Sequence, residues 1–161
     1  MISPRRPLAM LFILSCWAAS AHAQSVAAAH HSCAWLTEGS AAGLLGGEVT
    51  PTASLSDTGE GSCKFIRRQE PFDSLEVTVS KTALPTCPPD STKLIGVWNP
   101  TSMCKILGPR GLTAELISGR VRECYFTLTI DFSKRKMPPQ STEIREDLMA
   151  QVADQVAGNL F

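Results

Sequence analysis

The cysteines of this chain constrain its fold more than any other feature. Five of the six follow the N-terminal apolar segment: Cys33, Cys63, Cys87, Cys104 and Cys124. An odd number permits at most two bridges within one chain, so one thiol stays free, is capped or pairs between chains. None of the spacings is Cys-x-x-Cys, so neither a thioredoxin-type redox pair nor a zinc ribbon is supported. The pattern therefore predicts structural disulfides in a small domain.

The N-terminus predicts delivery to a compartment in which such bridges form. Two arginines precede an apolar run over residues 8–19, and the small-x-small sequence AHA ends at Ala23. This is the order of a bacterial secretory signal peptide, so we expect residues 1–23 to be removed and the protein to be periplasmic or secreted. The run is shorter than the roughly 20 apolar residues of a membrane-spanning helix, and no later stretch approaches that length. We therefore expect no transmembrane segment in the mature chain.

A lipid anchor at Cys16 is the alternative. Residues 13–16, with the sequence ILSC, loosely match the lipid-attachment box of bacterial lipoproteins. Leu14 fits that box poorly, and the apolar residues after Cys16 are typical of the middle of a signal. Cleavage after Ala23 is the favoured interpretation.

The rest of the chain has the size and charge of one nearly neutral domain. The signal carries two of the 15 basic residues and none of the 15 acidic ones, which leaves 13 basic against 15 acidic residues. Such a balance offers no electrostatic basis for nucleic-acid binding. We expect residues 24–31 to be a flexible leader and residues 32–161 to be a single domain.

Helical signals lie at the two ends of this domain. Thr37 is placed to cap a short helix that Gly46 and Gly47 end. Near the C-terminus, Ser141 is placed to cap a long amphipathic helix. Its apolar stripe is expected at Ile144, Leu148, Val152, Val156 and Leu160, widened by Met149 and Ala153.

Between the helices the hydrophobic period changes to alternation, which predicts antiparallel strands. Residues 75–80 and 112–116 alternate, with Glu115 expected on the solvated face. The clearest strand covers residues 121–132, and alternation places Cys124 and Arg122 on its apolar side. We therefore predict an α+β domain, in which an antiparallel meander sheet is packed by a short N-terminal helix and a long C-terminal amphipathic helix.

Residues 84–100 are rich in proline and turn formers, and Cys87 and Cys104 bracket them. This pattern predicts a long loop held at its base by a bridge. Trp98 on that loop is the residue that we expect to contact a ligand or partner, although a lone tryptophan is about as often packing as recognition.

Scarcity of histidine excludes most neutral-pH catalysis. After signal removal only His30 and His31 remain, both ahead of the domain. Serine and cysteine nucleophiles activated by histidine are therefore excluded, as is catalytic zinc held by histidine. We expect no metal site and no cofactor.

The remaining charged residues form no constellation that selects a reaction. The turn acids Glu60, Asp73, Asp90 and Asp131 are interpreted as solvated. Two basic clusters, Arg67-Arg68 and Lys134-Arg135-Lys136, fit solvated loops better than a patch for an anionic ligand or a membrane surface. The sequence leaves that choice open.

Six short blocks resemble a group of small exported bacterial proteins of unknown function, and more distantly resemble uncharacterised actinobacterial envelope lipoproteins. The blocks are Cys33-Ala-Trp-Leu-Thr, Ala42-Gly-Leu-Leu-Gly-Gly, Gly61-Ser-Cys63-Lys-Phe, Ile95-Gly-Val-Trp-Asn-Pro, Gly119-Arg-Val-Arg and Val156-Ala-Gly-Asn-Leu. Their order spans most of the mature chain. The resemblance implies an α+β domain but no activity.

The resemblance also implies the disulfide pairing. It implies a bridge from Cys33 to Cys63 and a second one around the loop before the Gly-Arg-Val-Arg block, which we assign to Cys87 and Cys104. Cys124 departs from the pattern of the group. We therefore expect it to be a free thiol, buried beneath the closing helix and unreactive.

Together these features predict an exported non-catalytic domain that binds a small ligand or a cell-envelope partner. A histidine-independent carboxylate hydrolase is one alternative, and two loop acids in one open cleft would favour it. An envelope-assembly or chaperone-like factor is another, and a broad exposed apolar patch would favour that.

Overall fold

The computed structural model describes residues 32–94, 100–135 and 143–161 of the chain. Within these ranges a short helix is followed by seven strands and a long helix. They are α1 (Glu38–Leu45), β1 (Val49–Leu55), β2 (Gly61–Arg67), β3 (Ser74–Ser80), β4 (Thr92–Lys93), β5 (Ser102–Gly108), β6 (Gly111–Val121), β7 (Cys124–Asp131) and α2 (Glu143–Gly158). The α+β class is confirmed.

The short helix begins and ends where the sequence predicts. The Thr37 side chain caps α1 by accepting a hydrogen bond from the backbone N–H of Ser40. Gly46 ends the helix with a φ of 71°, in the left-handed region that glycine enters without a steric penalty. The N–H of Gly47 then donates to the carbonyl of Ala42.

The seven strands form one antiparallel sheet in the order β1-β2-β3-β7-β6-β5-β4. The sheet thus consists of two meanders, β1 to β3 and β4 to β7, which meet at its centre where Val77 lies opposite Leu128. Residues 81–91 leave β3 at the centre and reach β4 at the far edge. They therefore have to cross three strands.

This crossing segment, residues 81–91, is named the strap, and it runs over the sheet face that the helices do not cover. The backbone N–H of Cys87 donates to Ser118 Oγ at 3.2 Å. A disulfide joins Cys87 to Cys104, with 5.6 Å between their Cα atoms. Ser118 and Leu116 on this face are buried although no described helix lies over them. The strap thus replaces a helix as the cover of that face.

The core lies between the opposite face of the sheet and the two helices. Its fully buried apolar side chains come from the central strands and from α2, and they include Phe65, Leu75, Val77, Phe126, Leu128, Ile130, Met149 and Val156. Burial of each such side chain contributes roughly 1.5 to 3 kcal/mol. A second disulfide, Cys33–Cys63, ties the segment before α1 to the middle of β2. Two residues after Cys33, the Trp35 carbonyl accepts a hydrogen bond from Asn159 Nδ2 at 3.0 Å, which ties the same segment to the end of α2.

The apolar stripe of α2 is shifted from its predicted position. The residues that face the sheet are Met149, Val152, Ala153, Val156 and Ala157. Ile144 and Leu148 were expected in the stripe but are 74% and 36% exposed. The prediction is wrong there because Arg145, four residues before Met149, takes the first position that faces the sheet. Ser141, the predicted cap, lies outside the described residues.

The predicted strand over residues 121–132 is two strands. Val121 ends β6 and lies opposite Cys124, the first residue of β7, so Arg122 and Glu123 form a two-residue turn. Arg122 has a φ of 53°, as the first turn residue of tight hairpins requires. Its guanidinium lies 4.5 Å from the centroid of the Phe161 ring instead of at the end of the apolar face. The sequence did not reveal this turn because it contains no glycine, asparagine or proline.

In the described part of the chain, α1 and α2 both lack the length and apolar character that a membrane-crossing helix requires.

We predict that Gly119→Ala destabilises the protein by about 1 to 3 kcal/mol through overpacking. A Cβ at Gly119 would lie 2.6 Å from Phe126 Cε1 and 2.9 Å from Thr101 Oγ1, and Phe126 is fully buried. The matched control is Gly43→Ala on α1, where a Cβ meets nothing within 4 Å. That change should stabilise the protein by about 0.5 to 1 kcal/mol, because alanine favours the helix. Urea unfolding measures both, and equal effects would contradict the close approach at Gly119.

Candidate functional site

An open cleft of about 340 Å³ lies at the β4 edge of the sheet. We name it the edge cleft. Its lining comes from the strap, three strands and α2, and consists of Pro88, Asp90, Ser91, Thr92, Met103, Cys104, Lys105, Glu115 and Glu146. It thus collects side chains that are far apart in sequence.

The cleft exists because β4 is only two residues long. The strap approaches β5 at Thr92, which lies opposite Met103. Just before that point the N–H of Ser91 donates to the carbonyl of Pro88, which closes a tight turn in the strap. The Cys87–Cys104 disulfide fixes the base of the strap on β5. One wall of the cleft is therefore held covalently.

A buried ion pair forms the opposite wall. Glu115 is fully buried. Its Oε2 accepts from Arg145 Nε at 2.7 Å and its Oε1 accepts from Arg145 Nη2 at 2.8 Å. The expectation that Glu115 faces solvent is therefore wrong. Alternation correctly predicted that β6 has two different faces. The strap covers the face of Leu116, whereas Glu115 lies on the face toward α2, where Arg145 neutralises it.

Arg145 belongs to a larger cluster that we name the arginine clamp: Glu115, Arg145, Phe132, Arg135 and Asp73. The guanidinium carbons of Arg145 and Arg135 lie 5.1 and 5.2 Å from the centroid of the buried Phe132 ring. Arg135 Nε donates to Asp73 Oδ1 at 2.8 Å and its Nη2 donates to Oδ2. Hydrogen bonding to the buried Asp73 carboxylate raises the pKa of Arg135. Two arginines, each hydrogen-bonded to a buried carboxylate, thus contact the same aromatic ring.

The mouth of the edge cleft carries the remaining charges. Lys105 Nζ lies 2.9 Å from Glu146 Oε1, and both side chains are partly exposed. Asp90 is exposed and forms no ion pair with a described residue. The cleft can therefore offer a small polar ligand a carboxylate at Asp90, the Lys105–Glu146 pair and the hydroxyls of the adjacent strap.

The three carboxylates in this cleft differ in what they can do chemically. Both oxygens of Glu115 accept hydrogen bonds from the Arg145 guanidinium, so its carboxylate is already engaged within the fold. Glu146 is engaged by Lys105. The sequence did not bring these acids together, because they lie on a strand, a helix and the strap. One signal in the sequence could have revealed the ion pair. Glu115 in β6 and Arg145 at the start of the α2 stripe are charged residues within apolar segments.

Of the other turn acids interpreted as solvated, Asp73 is buried instead, and Glu60 and Asp131 have local structural roles. Glu60 Oε1 accepts from the N–H of Lys81 at 2.6 Å and its Oε2 accepts from Thr58 Oγ1 at 3.0 Å. These bonds lower the pKa of Glu60, the backbone donor of Lys81 most strongly. Asp131 Oδ1 accepts from the N–H of Ser133 at 2.7 Å. Glu60 thus fastens the β1–β2 turn to the start of the strap.

The two basic clusters meet at Asp73, whose backbone carbonyl accepts from the N–H of Arg67 at 3.0 Å and whose carboxylate pairs with Arg135. Arg68 pairs with Glu48 at 3.4 Å, while Arg135 points inward to Asp73. Arg67 Nε is buried without a hydrogen-bond partner. Lys134 is exposed.

The cysteines adopt the expected pairing, but one of them is less buried than predicted. The disulfides are Cys33–Cys63 and Cys87–Cys104, and Cys124 is a free thiol. Cys124 packs against the core as alternation implies. It is only half-buried because it is the first residue of β7, next to the exposed turn at the end of the sheet.

Trp98 and Lys136 lie outside the described residues.

Within the described ranges, no three His, Cys, Asp or Glu side chains are grouped so that they could hold a metal ion. Comparison of the chain with protein-family profiles, with curated proteins and with solved structures finds no match.

We predict that Arg145→Met destabilises the protein by about 3 to 5 kcal/mol, because it leaves the Glu115 carboxylate buried without its partner. The double variant Arg145→Met with Glu115→Leu should recover most of this loss. Lys105→Met is the matched control, since breaking the exposed pair with Glu146 should cost less than about 1 kcal/mol. Urea unfolding measures all three. A loss in Arg145→Met no larger than in Lys105→Met would contradict the structural role of the pair.

We predict that Glu60 stabilises the fold at neutral pH and loses this effect in acid. Its folded pKa lies below the ordinary value of 4.5, so its contribution is fully present above that value and is lost as the pH falls through the folded pKa. Glu60→Gln should therefore be less stable than the unsubstituted protein at pH 7, with the difference shrinking below about pH 4. Thr58→Val, which removes one donor, should show part of the same effect. Stability curves that stay parallel over this pH range would refute the assignment.

Proposed function

We propose that this protein is an exported, non-catalytic domain that binds a small polar ligand in the edge cleft. The observation that carries the proposal is the construction of the cleft. A disulfide-anchored strap forms one wall and a buried bidentate ion pair forms the other, while Asp90 and Lys105 stay accessible at the mouth. Preformed pockets of roughly 300 to 1,000 Å³ with a few placed polar groups are typical of small-ligand sites. The cleft lies at the lower end of that range.

Two features support export. Two disulfides are typical of a chain that folds in an oxidising compartment. The N-terminal sequence has the design of a signal peptide, and the resemblance to small exported bacterial proteins agrees with both. We therefore propose that the binding domain is periplasmic or secreted.

The charges of the cleft indicate the class of ligand. Asp90 is the carboxylate at the mouth that no described cation neutralises, and Ser91 and Thr92 add hydroxyl groups beside it. A ligand that carries an ammonium or several hydroxyl groups would satisfy these acceptors and donors. An apolar ligand would strip water from them without replacing the hydrogen bonds.

The hydrolase alternative has one observation in its favour, because Asp90, Glu115 and Glu146 line the same open cleft. A carboxylate hydrolase needs one acid that delivers a proton and one that acts as base or nucleophile. The engagement of Glu115 by Arg145 and of Glu146 by Lys105 leaves no such pair. This difference favours binding over hydrolysis.

The test is a thermal-shift screen of the secreted protein against small amines, amino acids and sugars, followed by calorimetric titration of any compound that stabilises it. Asp90→Asn should weaken binding at least about tenfold, or 1.4 kcal/mol. Asp57→Asn, an exposed turn acid outside the cleft, is the matched control and should bind as the unsubstituted protein does. A screen without a stabilising compound, or equal binding by Asp90→Asn, would overturn the proposal. Turnover of a bound compound that Glu146→Gln abolishes would favour the hydrolase.

A further inference from the structure

A second cleft lies between the two helices, on the side of the sheet opposite the strap. Its volume is about 340 Å³, and its lining consists of Ser40, Gly43, Leu44, Leu148, Gln151, Val152 and Gln155. We name it the helix groove. None of these side chains carries a charge. The helix groove shares no lining residue with the edge cleft, so the two are separate surfaces.

The floor of the helix groove is apolar, and its apolar surface continues along α2. Leu44 and Val152 are buried at the floor, whereas Leu148 is exposed on the wall. One helical turn before Leu148, Ile144 is exposed as well. Residues 144, 148, 151 and 155 have the spacing of one helical face, and the face is about 17 Å long. The groove and Ile144 therefore form one surface along α2.

The α1 side of the helix groove is open because it contains a glycine. Gly43 is exposed, and a Cβ at this position would meet nothing within 4 Å. Glycine within a helix is less favourable than alanine by about 1 kcal/mol, so its presence does not serve the stability of α1. It leaves the helix backbone accessible to another element that lies in the groove.

A row of acidic side chains runs along α2 beside this surface. Glu143, Asp147 and Asp154 are exposed, and their spacing places them on one face of the helix, next to the face that begins at Ile144. None of the three acids forms an ion pair with a described residue. The sequences of α1 and α2 contain a single basic residue, Arg145, which binds Glu115. The surface is thus flanked by negative charge.

The stability of α2 does not account for this acidic row. Glu143 suits the positive end of the helix dipole, but Asp147 follows it by one turn, and like charges at this spacing repel each other. Asp154 lies about one turn from the end of α2 at Gly158, where the dipole disfavours negative charge. The placement of these acids is therefore better explained by recognition of a basic partner.

We propose that the helix groove binds a basic amphipathic helix of a partner protein. The apolar face of the partner helix covers Ile144 and Leu148, and its basic residues pair with Asp147 and Asp154. Recognition of a helix in a groove uses apolar anchors that recur every three or four residues, which matches the spacing along α2. About three turns of the partner helix span the distance from Ile144 to Gln155.

The charge of this surface favours such a helix over a second copy of the chain. Two copies that met through their helix grooves would bring two acidic rows together, and like charges opposed across an interface are unfavourable. An anionic membrane surface would be repelled for the same reason. A basic amphipathic helix neutralises the acidic row and removes the apolar face from water in one event.

The probe is a synthetic, fluorescently labelled peptide of about 14 leucines and lysines, arranged so that the leucines form one face of a helix. The oxidised mature protein should bind it, as measured by fluorescence anisotropy, and added salt should weaken the binding because the acids are exposed. One control peptide carries glutamate in place of every lysine. A second has the same composition but no apolar face. Both should bind at least about tenfold more weakly.

Gly43→Arg is the decisive variant. The new side chain fills the groove from the α1 side and adds a positive charge that repels the probe. The space around Gly43 and the higher helix propensity of arginine should keep the protein folded, which urea unfolding checks. Binding of the probe should weaken at least about tenfold. Gly43→Ala adds one methyl group, and it is the matched control that should bind nearly as the unsubstituted protein does.

Removal of the acidic row tests the charges. The double variant Asp147→Asn with Asp154→Asn should weaken binding and make it less sensitive to salt. Asp57→Asn with Asp90→Asn removes two exposed acids elsewhere and should change neither property. Because Asp90 lines the edge cleft, this control also separates peptide binding from small-ligand binding, so that either proposal can fail without the other.

Four results would overturn the proposal. They are a lack of binding of the basic probe, equal binding of the acidic peptide, an affinity that Gly43→Arg leaves unchanged, and an affinity that the loss of Asp147 and Asp154 leaves unchanged. Sedimentation equilibrium tests the second copy as the occupant. A dimer that Gly43→Arg dissociates would also contradict the proposal.

Discussion

The position of α2 depends on the buried ion pair between Glu115 and Arg145. A carboxylate with no exposed surface is tolerated only when a cation satisfies its oxygens, because the cost of removing it from water is several kcal/mol. Arg145 meets this requirement from one point on one helix. A slip of α2 by one residue would turn its side chains by about 100°, which would move the guanidinium away from Glu115 and the apolar stripe away from the sheet. The pair thus acts as a register mark for the packing of helix on sheet.

This register has consequences at both ends of the clamp. Next to Arg145, Glu146 reaches Lys105 at the cleft mouth, and four residues on, Met149 enters the core. Through Phe132 the same arrangement extends to Arg135 and Asp73, which joins the end of β7 to the start of β3. A single network therefore positions the helix, the central strand pair and the cleft wall. The edge cleft and the hydrophobic core are therefore positioned by the same set of contacts.

Features written in local sequence were predictable, and features that depend on the neighbours of a strand were not. Thr37 and Gly46 bound α1 as expected because a helix cap is a contact between residues a few positions apart. Alternation identified the buried face of β3, because every second residue of a strand lies on the same face. It failed at Glu115, because the pattern shows that two faces differ but not which cover each receives. It also failed at Ile144, since an apolar residue on a helix reveals its burial only through what lies opposite.

The candidate site was less predictable than the fold. Asp90, Lys105 and Glu146 come together only because the strap crosses to the far edge, and nothing in the local sequence encodes the order of strands in a sheet. The pairing of Cys87 with Cys104 was expected, but the structural role of this disulfide was not. It fixes a crossing segment against one face of the sheet rather than closing a free loop. The edge cleft is a by-product of that crossing.

The central pairing of β3 with β7 also affects how this chain folds while it is being synthesised. Val77 lies opposite Leu128, so strands far apart in sequence complete the centre of the sheet. A chain that emerges N-terminus first from a ribosome presents β1, β2 and β3 long before β7 is present. During that interval Leu75, Val77 and Val79, all fully buried in the finished fold, lie on an open strand edge. Non-local pairing of this kind slows folding and exposes intermediates to aggregation. The half-emerged chain is therefore the state in which this protein most needs shielding.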